Sequence, residues 1–369
     1  MQQDAPNPGT EAPLPSRISE GIRSVVRRGS APATSGSASL PRAPAAPVGS
    51  GDHSQRTSHS PGTPRRDVAT IYGIEGLLAG RTLMGRYRIE EVIGRGGMGA
   101  VYRARDAQLG RDVAVKVVTV AAPDRDAHQR LRARFQREAR AAAALHHPAV
   151  VAVYDYGTDP ELGLDFLVME LLRGEDLASR LQRKGPPALP TAISILEQAA
   201  RGLAAGHRAG LIHRDVKPGN IYLEDGDRIG DVRVKILDFG IADLSGAGED
   251  TLTHLTVHGR SPYSPAYASP EQLRGEPRLT PATDVFSLGA VGFHLLTGRR
   301  LFTSADPRQM LVETSRALAE ERQRLSTLPS AVETALRRSL AQRAEDRYAS
   351  AGQFADALAG ALANWPALA

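Results

Sequence analysis

The chain has 369 residues, 41% of them apolar and 24% charged, with 46 basic against 41 acidic side chains and a formal charge of +5. This is the profile of an ordinary globular protein of two or three packing units, and its scattered basic residues do not indicate nucleic-acid binding. The absence of cysteine excludes a disulfide framework and a thiolate metal site, and no apolar run reaches the roughly 18 uninterrupted residues of a membrane span.

The first ten residues, MQQDAPNPGT, lack the basic and apolar regions of a secretory signal, so a cytoplasmic location is expected. Residues 1–70 read as a disordered tail rich in Pro, Ser, Ala and Arg. Ten of the 25 prolines fall before residue 67, together with no aromatic residue, and such a stretch buries too little apolar surface to offset its ordering entropy. Within it, Ile18, Ile22, Val25 and Val26 share a helical face that could dock on a partner, although a transient coil is the preferred reading. Residues 71–86 read as a linker.

Beyond the linker the pattern becomes periodic. RYRIEEVIG and AVYRAR alternate as strands around a glycine-rich turn. RDVAVKVVTV predicts a third strand, with Val113, Val115 and Val117 on one face and Ala114, Lys116 and Val118 on the other. QRLRARFQREARAAAAL has helical spacing through Leu131, Phe135, Glu138 or Ala139, and Ala142. LDFLVMELL reads as a buried strand. After Pro190 the text turns mostly helical, and in TAISILEQAARGLAAGH an apolar stripe runs through Ile193, Leu196, Ala199, Ala200, Leu203 and His207. A small strand-rich lobe thus precedes a larger helical one, and a cleft between unlike lobes is a natural ligand site.

Four stretches carry chemistry. In IGRGGMGAVY, Gly94, Gly96 and Gly99 satisfy G-x-G-x-x-G, but strand residues follow where a dinucleotide fold would begin a helix, and the Lys-Ser/Thr of a Walker A loop is absent. A hairpin lying over phosphates and a merely flexible hairpin both remain. Lys116 either snorkels to solvent or meets an anion, for which Glu138 is a candidate. In HRDVKPGN, Asp215 can orient a hydroxyl nucleophile, while Asn220 and Asp238, the latter in VKILDFG, offer oxygen ligands of the kind Mg²⁺ prefers.

Taken together and in this order, these stretches resemble the eukaryotic-type (Hanks-type) protein serine/threonine kinases, close to the bacterial members. The likeness runs from about Tyr87 to about Ala363 and adds FQREA, LVMELLRGEDL, SPE at 269–271, DVFSLG at 284–289 and EDRY at 345–348. It implies an α+β, bilobal kinase fold over 87–363, with an N-lobe of about 87–170, a C-lobe of about 171–363, an ATP cleft between them and a C-terminal end at 364–369. It also implies a phosphotransferase that uses ATP and Mg²⁺, with Mn²⁺ as an alternative metal, and acts on protein substrates. By the same resemblance Ile93, Gly94, Gly96 and Gly99 form the phosphate-covering loop, while Val101 and Ala114 cover the adenine. Met169 stands at the gatekeeper position, and Glu170 and Leu172 supply hinge backbone. Lys116 holds the α- and β-phosphates and pairs with Glu138. Asp215 is the catalytic base, and Asn220 and Asp238 bind metal. Glu271 pairs with Arg347, and Asp284 braces the catalytic loop.

Only four of the 46 basic residues are lysines, and two of them fall at 116 and 217. Lys217 matches the lysine that Ser/Thr kinases place against the transferring γ-phosphate, where a compact rotatable ammonium suits a moving group better than a rigid guanidinium fork. Arg214 precedes the catalytic aspartate, which implies activation by a phosphate on Thr251, Thr253 or Thr256 through autophosphorylation, with a kinase–kinase dimer as one route. One stretch departs from the pattern. The Gly-Thr-x-x-Tyr expected before SPE is irregular across 259–267, with Ser264 as a substitute hydroxyl, and this leaves peptide docking open. A nucleotide-binding scaffold without transfer is the alternative reading.

Overall fold

The computed structural model describes residues 78–96, 99–118, 124–225, 232–239, 265–302, 304, 309–310 and 325–363, all within one unit, Arg65–Ala369. The tail, Thr251, Thr253, Thr256 and Ser264 lie outside the described residues.

Six strands form the first sheet: β1 (Thr82–Leu83), β2 (Tyr87–Gly96), β3 (Gly99–Asp106), β4 (Arg111–Val118), β5 (Val153–Thr158) and β6 (Asp165–Glu170). Their order is β1-β2-β3-β4-β6-β5, and every neighbouring pair is antiparallel. The expected alternation in β4 is observed. Val113, Val115 and Val117 pack with Tyr87, Tyr102 and Phe166, whereas Ala114 and Val118 pack with Phe135, Leu167 and Met169. Both faces are therefore buried, at about 1.5–3 kcal/mol for each large apolar side chain. Helix α1 (Arg125–Ala143) covers the second face with Phe135 and Ala139. Asp124 starts it by accepting a hydrogen bond from Ala127 N at 2.7 Å.

Gly96 and Gly99 pair across the β2–β3 hairpin. At Gly99 φ is +138°, and a Cβ would fall 1.9 Å from the Val117 carbonyl oxygen, so no side chain is compatible with β3 lying this close to β4.

The helical lobe contains β7 (Gly174–Asp176), α2 (Leu177–Lys184), α3 (Leu189–Arg208), β8 (Ile221–Asp225), β9 (Val232–Ile236), α4 (Pro270–Leu273), α5 (Pro281–Thr297), α6 (Ser330–Ser339) and α7 (Ala351–Ala363). Strands β7, β8 and β9 make a small antiparallel sheet. Pro190 sits in the first turn of α3, where its missing N–H has no partner to lose. The α3 stripe of Ile193, Leu196, Ala199, Ala200 and Leu203 is fully buried, and α3 packs against α5 and α7. The lobes are stitched where Val151 N donates to Ile236 O at 3.0 Å and Ile236 N to Ala149 O at 2.8 Å.

Candidate active site

The loop after α3 carries HRDVKPGN, and it is held from beneath by Asp284 in α5. This fully buried carboxylate accepts from His213 N at 2.8 Å, from Arg214 N at 2.9 Å and from His207 Nε2 at 2.7 Å. Burial pushes the Asp284 carboxyl up, but His207, His213 and the backbone N–H of His213 outweigh it, and the net shift is downward. Gln272 of α4 donates to Arg214 O at 2.6 Å from the other side. These clamps hold Arg214 at a φ of +66°, a left-handed conformation that costs a non-glycine residue about 1–3 kcal/mol.

Above that base the reactive groups converge. Lys217 Nζ is 2.6 Å from Asp215 Oδ2, and Asn220 Nδ2 donates to Asp215 O at 2.8 Å and to Asp215 Oδ2 at 3.2 Å. Pro218–Asn220 form a short 3₁₀ turn that folds Asn220 back over the aspartate. Leu237 N then donates to Asn220 O at 2.9 Å, and His213 Nε2 is 2.7 Å from Leu237 O. Asp238 is thereby placed beside the loop with a φ of +60°, and Phe239 lies against His213 with ring centroids 5.1 Å apart.

Lys116 reaches down from β4 and pairs with Asp238 at 2.7 Å. Burial pushes the Asp238 carboxyl up, yet the Lys116 ammonium outweighs it and holds the carboxyl below its ordinary value. The expected Lys116–Glu138 pair is not formed, which corrects the reading from sequence. Glu138 instead takes Arg134, one helical turn earlier, at 3.4 Å, and its Oε2 is buried without a partner. Burial pushes the Glu138 carboxyl up, against the pull of Arg134 and Arg214. Two acids compete for one ammonium here, and the one delivered by the opposite lobe is the nearer.

Val101, Ala114, Met169 and Leu172 belong to one apolar cluster, together with Leu237 from the other lobe. Gly94 passes close to Val101, and Ile93 remains 47% exposed at the rim. A small apolar crevice lined by Ala139, Ala142, Leu167, Met169 and Phe239 lies beside α1.

The family model for the protein kinase domain matches residues 87–357. This chain belongs to the protein kinase family. The serine/threonine-protein kinase PknA of Mycobacterium tuberculosis is 40% identical over 289 residues, covering 77% of this chain and 63% of PknA. PknB of Mycolicibacterium smegmatis is 37% identical over 277 residues, covering 74% of this chain and 42% of PknB. The crystal structure of the Mycobacterium tuberculosis PknI kinase domain is similar at a TM-score of 0.57 and 28% identity, over 76% of this chain and 98% of that one. The chain therefore spans less than two thirds of the length of the curated relatives named here.

Within this kinase domain, Lys116, Asp215, Lys217, Asn220 and Asp238 gather at one cleft, while Glu138 stands apart on Arg134. The Glu271–Arg347 pair is present, with guanidinium-to-carboxylate bonds of 2.7 and 2.9 Å. Leu237, Gln272 and the Glu170–Lys235 pair went unnoticed in the sequence, because each acts on a partner at least 58 residues away or through backbone.

Proposed function

We propose that the domain transfers the γ-phosphoryl of ATP to serine or threonine hydroxyls of proteins. The observation that carries this is the packing of Lys217 and Asn220 on Asp215 at 2.6 and 3.2 Å, beside the Lys116–Asp238 pair. Phosphoryl transfer asks a protein mainly to position groups and neutralise charge, and this arrangement supplies both. Asp215 would orient the acceptor hydroxyl and take its proton. Lys217 and Lys116 would meet phosphate oxygens, while Ile93, Gly94, Gly96, Gly99, Val101, Ala114, Met169, Glu170 and Leu172 would enclose the nucleotide.

The donor set also fits a divalent cation. Asn220 commits its amide nitrogen to Asp215, so its side-chain oxygen is the atom that could take a cation, and the Asp238 carboxyl is held below its ordinary value. Asn220 and Asp238 would hold Mg²⁺ or Mn²⁺, and the ion would neutralise charge on the phosphates. We read the kinase domain as 87–363, after a 1–70 tail and a 71–86 linker, ending before 364–369. Activation would follow phosphorylation of Thr251, Thr253 or Thr256, through a dimer of two copies, in the cytoplasm where ATP is found. Among the described residues no helix is long and apolar enough to cross a membrane.

The position of Glu138 favours a second reading, a domain that binds nucleotide without transfer until it is switched. Incubating the 369-residue chain with labelled ATP, Mg²⁺ and a standard acceptor protein separates the two. Label on serine or threonine that disappears in Asp215→Ala is expected. Nucleotide binding with no label supports the scaffold instead.

A further inference from the structure

A chain that writes 42 of its 46 basic residues as arginine keeps a lysine at 235. Lys184 sits in the exposed last turn of α2, but Lys235 has a built environment. Its Nζ donates to Glu170 Oε1 at 2.7 Å, with side-chain exposures of only 15% and 20%. The same oxygen accepts from Ala152 N at 2.7 Å, and Glu170 N donates back to Ala152 O at 3.0 Å. Glu170 closes β6 in the strand-rich lobe, whereas Lys235 lies in β9 of the helical lobe, three residues before Asp238. The pair therefore joins the strand end that leads to Leu172 with the strand that delivers Asp238.

The joint is tied on every side. Ile236, next to Lys235, bonds to Ala149 and Val151, and Leu237 bonds to Asn220. A shift of the β6 end relative to β9 would have to break the Lys235–Glu170 contact. One carboxylate oxygen shared by an ammonium and a backbone N–H suits a slim, single-point donor, whereas a guanidinium fork would seek both oxygens and more room. Removing the ammonium would leave a largely buried carboxylate with a single N–H and loosen the strand end it holds.

From this geometry we infer that Lys235 is a positioning residue for the nucleotide: acting through Glu170, it sets the hinge against the strand that leads to Asp238. The inference rests on the reading of the cleft as an ATP site. Its side-chain contact is with Glu170 at the end of β6, while Asp238 is held separately by Lys116 and by the Leu237–Asn220 bond, so the effect is expected on nucleotide binding more than on transfer.

The test uses the full chain and steady-state transfer to an acceptor protein, with ATP affinity measured by calorimetry. Lys235→Met is expected to raise KM for ATP and its dissociation constant about tenfold while kcat changes less than about twofold, the pattern of binding lost equally from ground and transition states. Lys235→Arg should recover part of the loss, because it restores the charge on a bulkier group. Glu170→Gln should also raise KM for ATP, and the double variant should raise it no further than the worse single variant, as expected of partners in one contact. Thermal unfolding is followed for each, and should Lys235→Met unfold at the assay temperature, Glu170→Gln carries the same test. Unchanged KM in both single variants, a loss confined to kcat, or Lys235→Arg as poor as Lys235→Met would overturn the inference. A wild-type chain that binds no ATP would overturn the ATP reading itself.

Discussion

Arg347 shows how one residue can hold a lobe together. Its Nε donates to Ala341 O at 2.8 Å, Nη1 to Glu271 and to Ala282 O at 2.7 and 2.9 Å, and Nη2 to Glu271 and to Gln342 O at 2.9 and 3.2 Å. Burial pushes the Glu271 carboxyl up, but Arg347 and Thr283 bring it below its ordinary value. Arg347→Met would strand that carboxylate in the core, at a cost of about 3–5 kcal/mol, read as a lower urea midpoint. Methionine should cost clearly less than alanine if the loss comes from packing, and nearly the same if it comes from charge. Roles set by short spacing were legible at this scale: Asp215, Lys217 and Asn220 lie within six residues, and one turn brings them together. The partner of Lys116 was not legible, because the choice between Glu138 and Asp238 depends on where a helix and a loop from opposite lobes come to rest.

Among the elements, β4 was readable from its short valine-rich run and α3 from apolar residues spaced three to four apart. Strand β5 passed unnoticed. It lies at the sheet edge and its residues are mostly half-buried, so it carries no clean alternation. Helix α3 also holds a constraint invisible in its sequence. A Cβ on Gly206 would stand 2.2 Å from Phe239 Cε1, inside the seat that keeps Phe239 against His213. Gly206→Ala should therefore cost about 1–3 kcal/mol by overpacking and, by displacing the residue next to Asp238, lower phosphoryl transfer well beyond the loss of folded protein. Gly360→Ala is the control: nothing lies within 4 Å of its Cβ, and about 0.4–1 kcal/mol of stabilisation is expected. Equal transfer rates per folded molecule in the two variants would refute this account of Gly206.

Across the whole molecule, acid should act on both lobes. In the strand-rich lobe the Arg86 guanidinium holds the Asp106 carboxyl down from 3.8 to about 2, helped by the Leu109 and Gln108 backbone N–H groups. In the helical lobe Asp284 and Glu271 are also shifted downward. A carboxyl lowered on folding contributes stability that is fully present above its unfolded pKa and is lost as pH falls through the folded value. The urea midpoint should thus fall progressively from about pH 4.5 towards pH 2. Glu138 works in the opposite sense, since burial raises its carboxyl and its protonation relieves that cost. Asp106→Asn should flatten the acid limb of the strand-rich lobe, followed by amide exchange in β2 and β3. An unchanged limb would show that the Arg86–Asp106 pair contributes nothing.

Taken by itself, the sequence determined which residues are apolar at which period, and hence the two lobes. It also determined which short runs carry an aspartate, a lysine and an asparagine close enough to meet. Those are local properties, because strand alternation, helical stripes and a tight turn are written in neighbouring residues. The tertiary structure decided how distant groups share charge: Lys116 on Asp238 rather than Glu138, Lys235 on Glu170, and Phe239 in the space that Gly206 leaves. Each of these contacts joins segments dozens of residues apart. Their outcome depends on angstrom-scale placement of whole elements, and no local pattern in the chain encodes it.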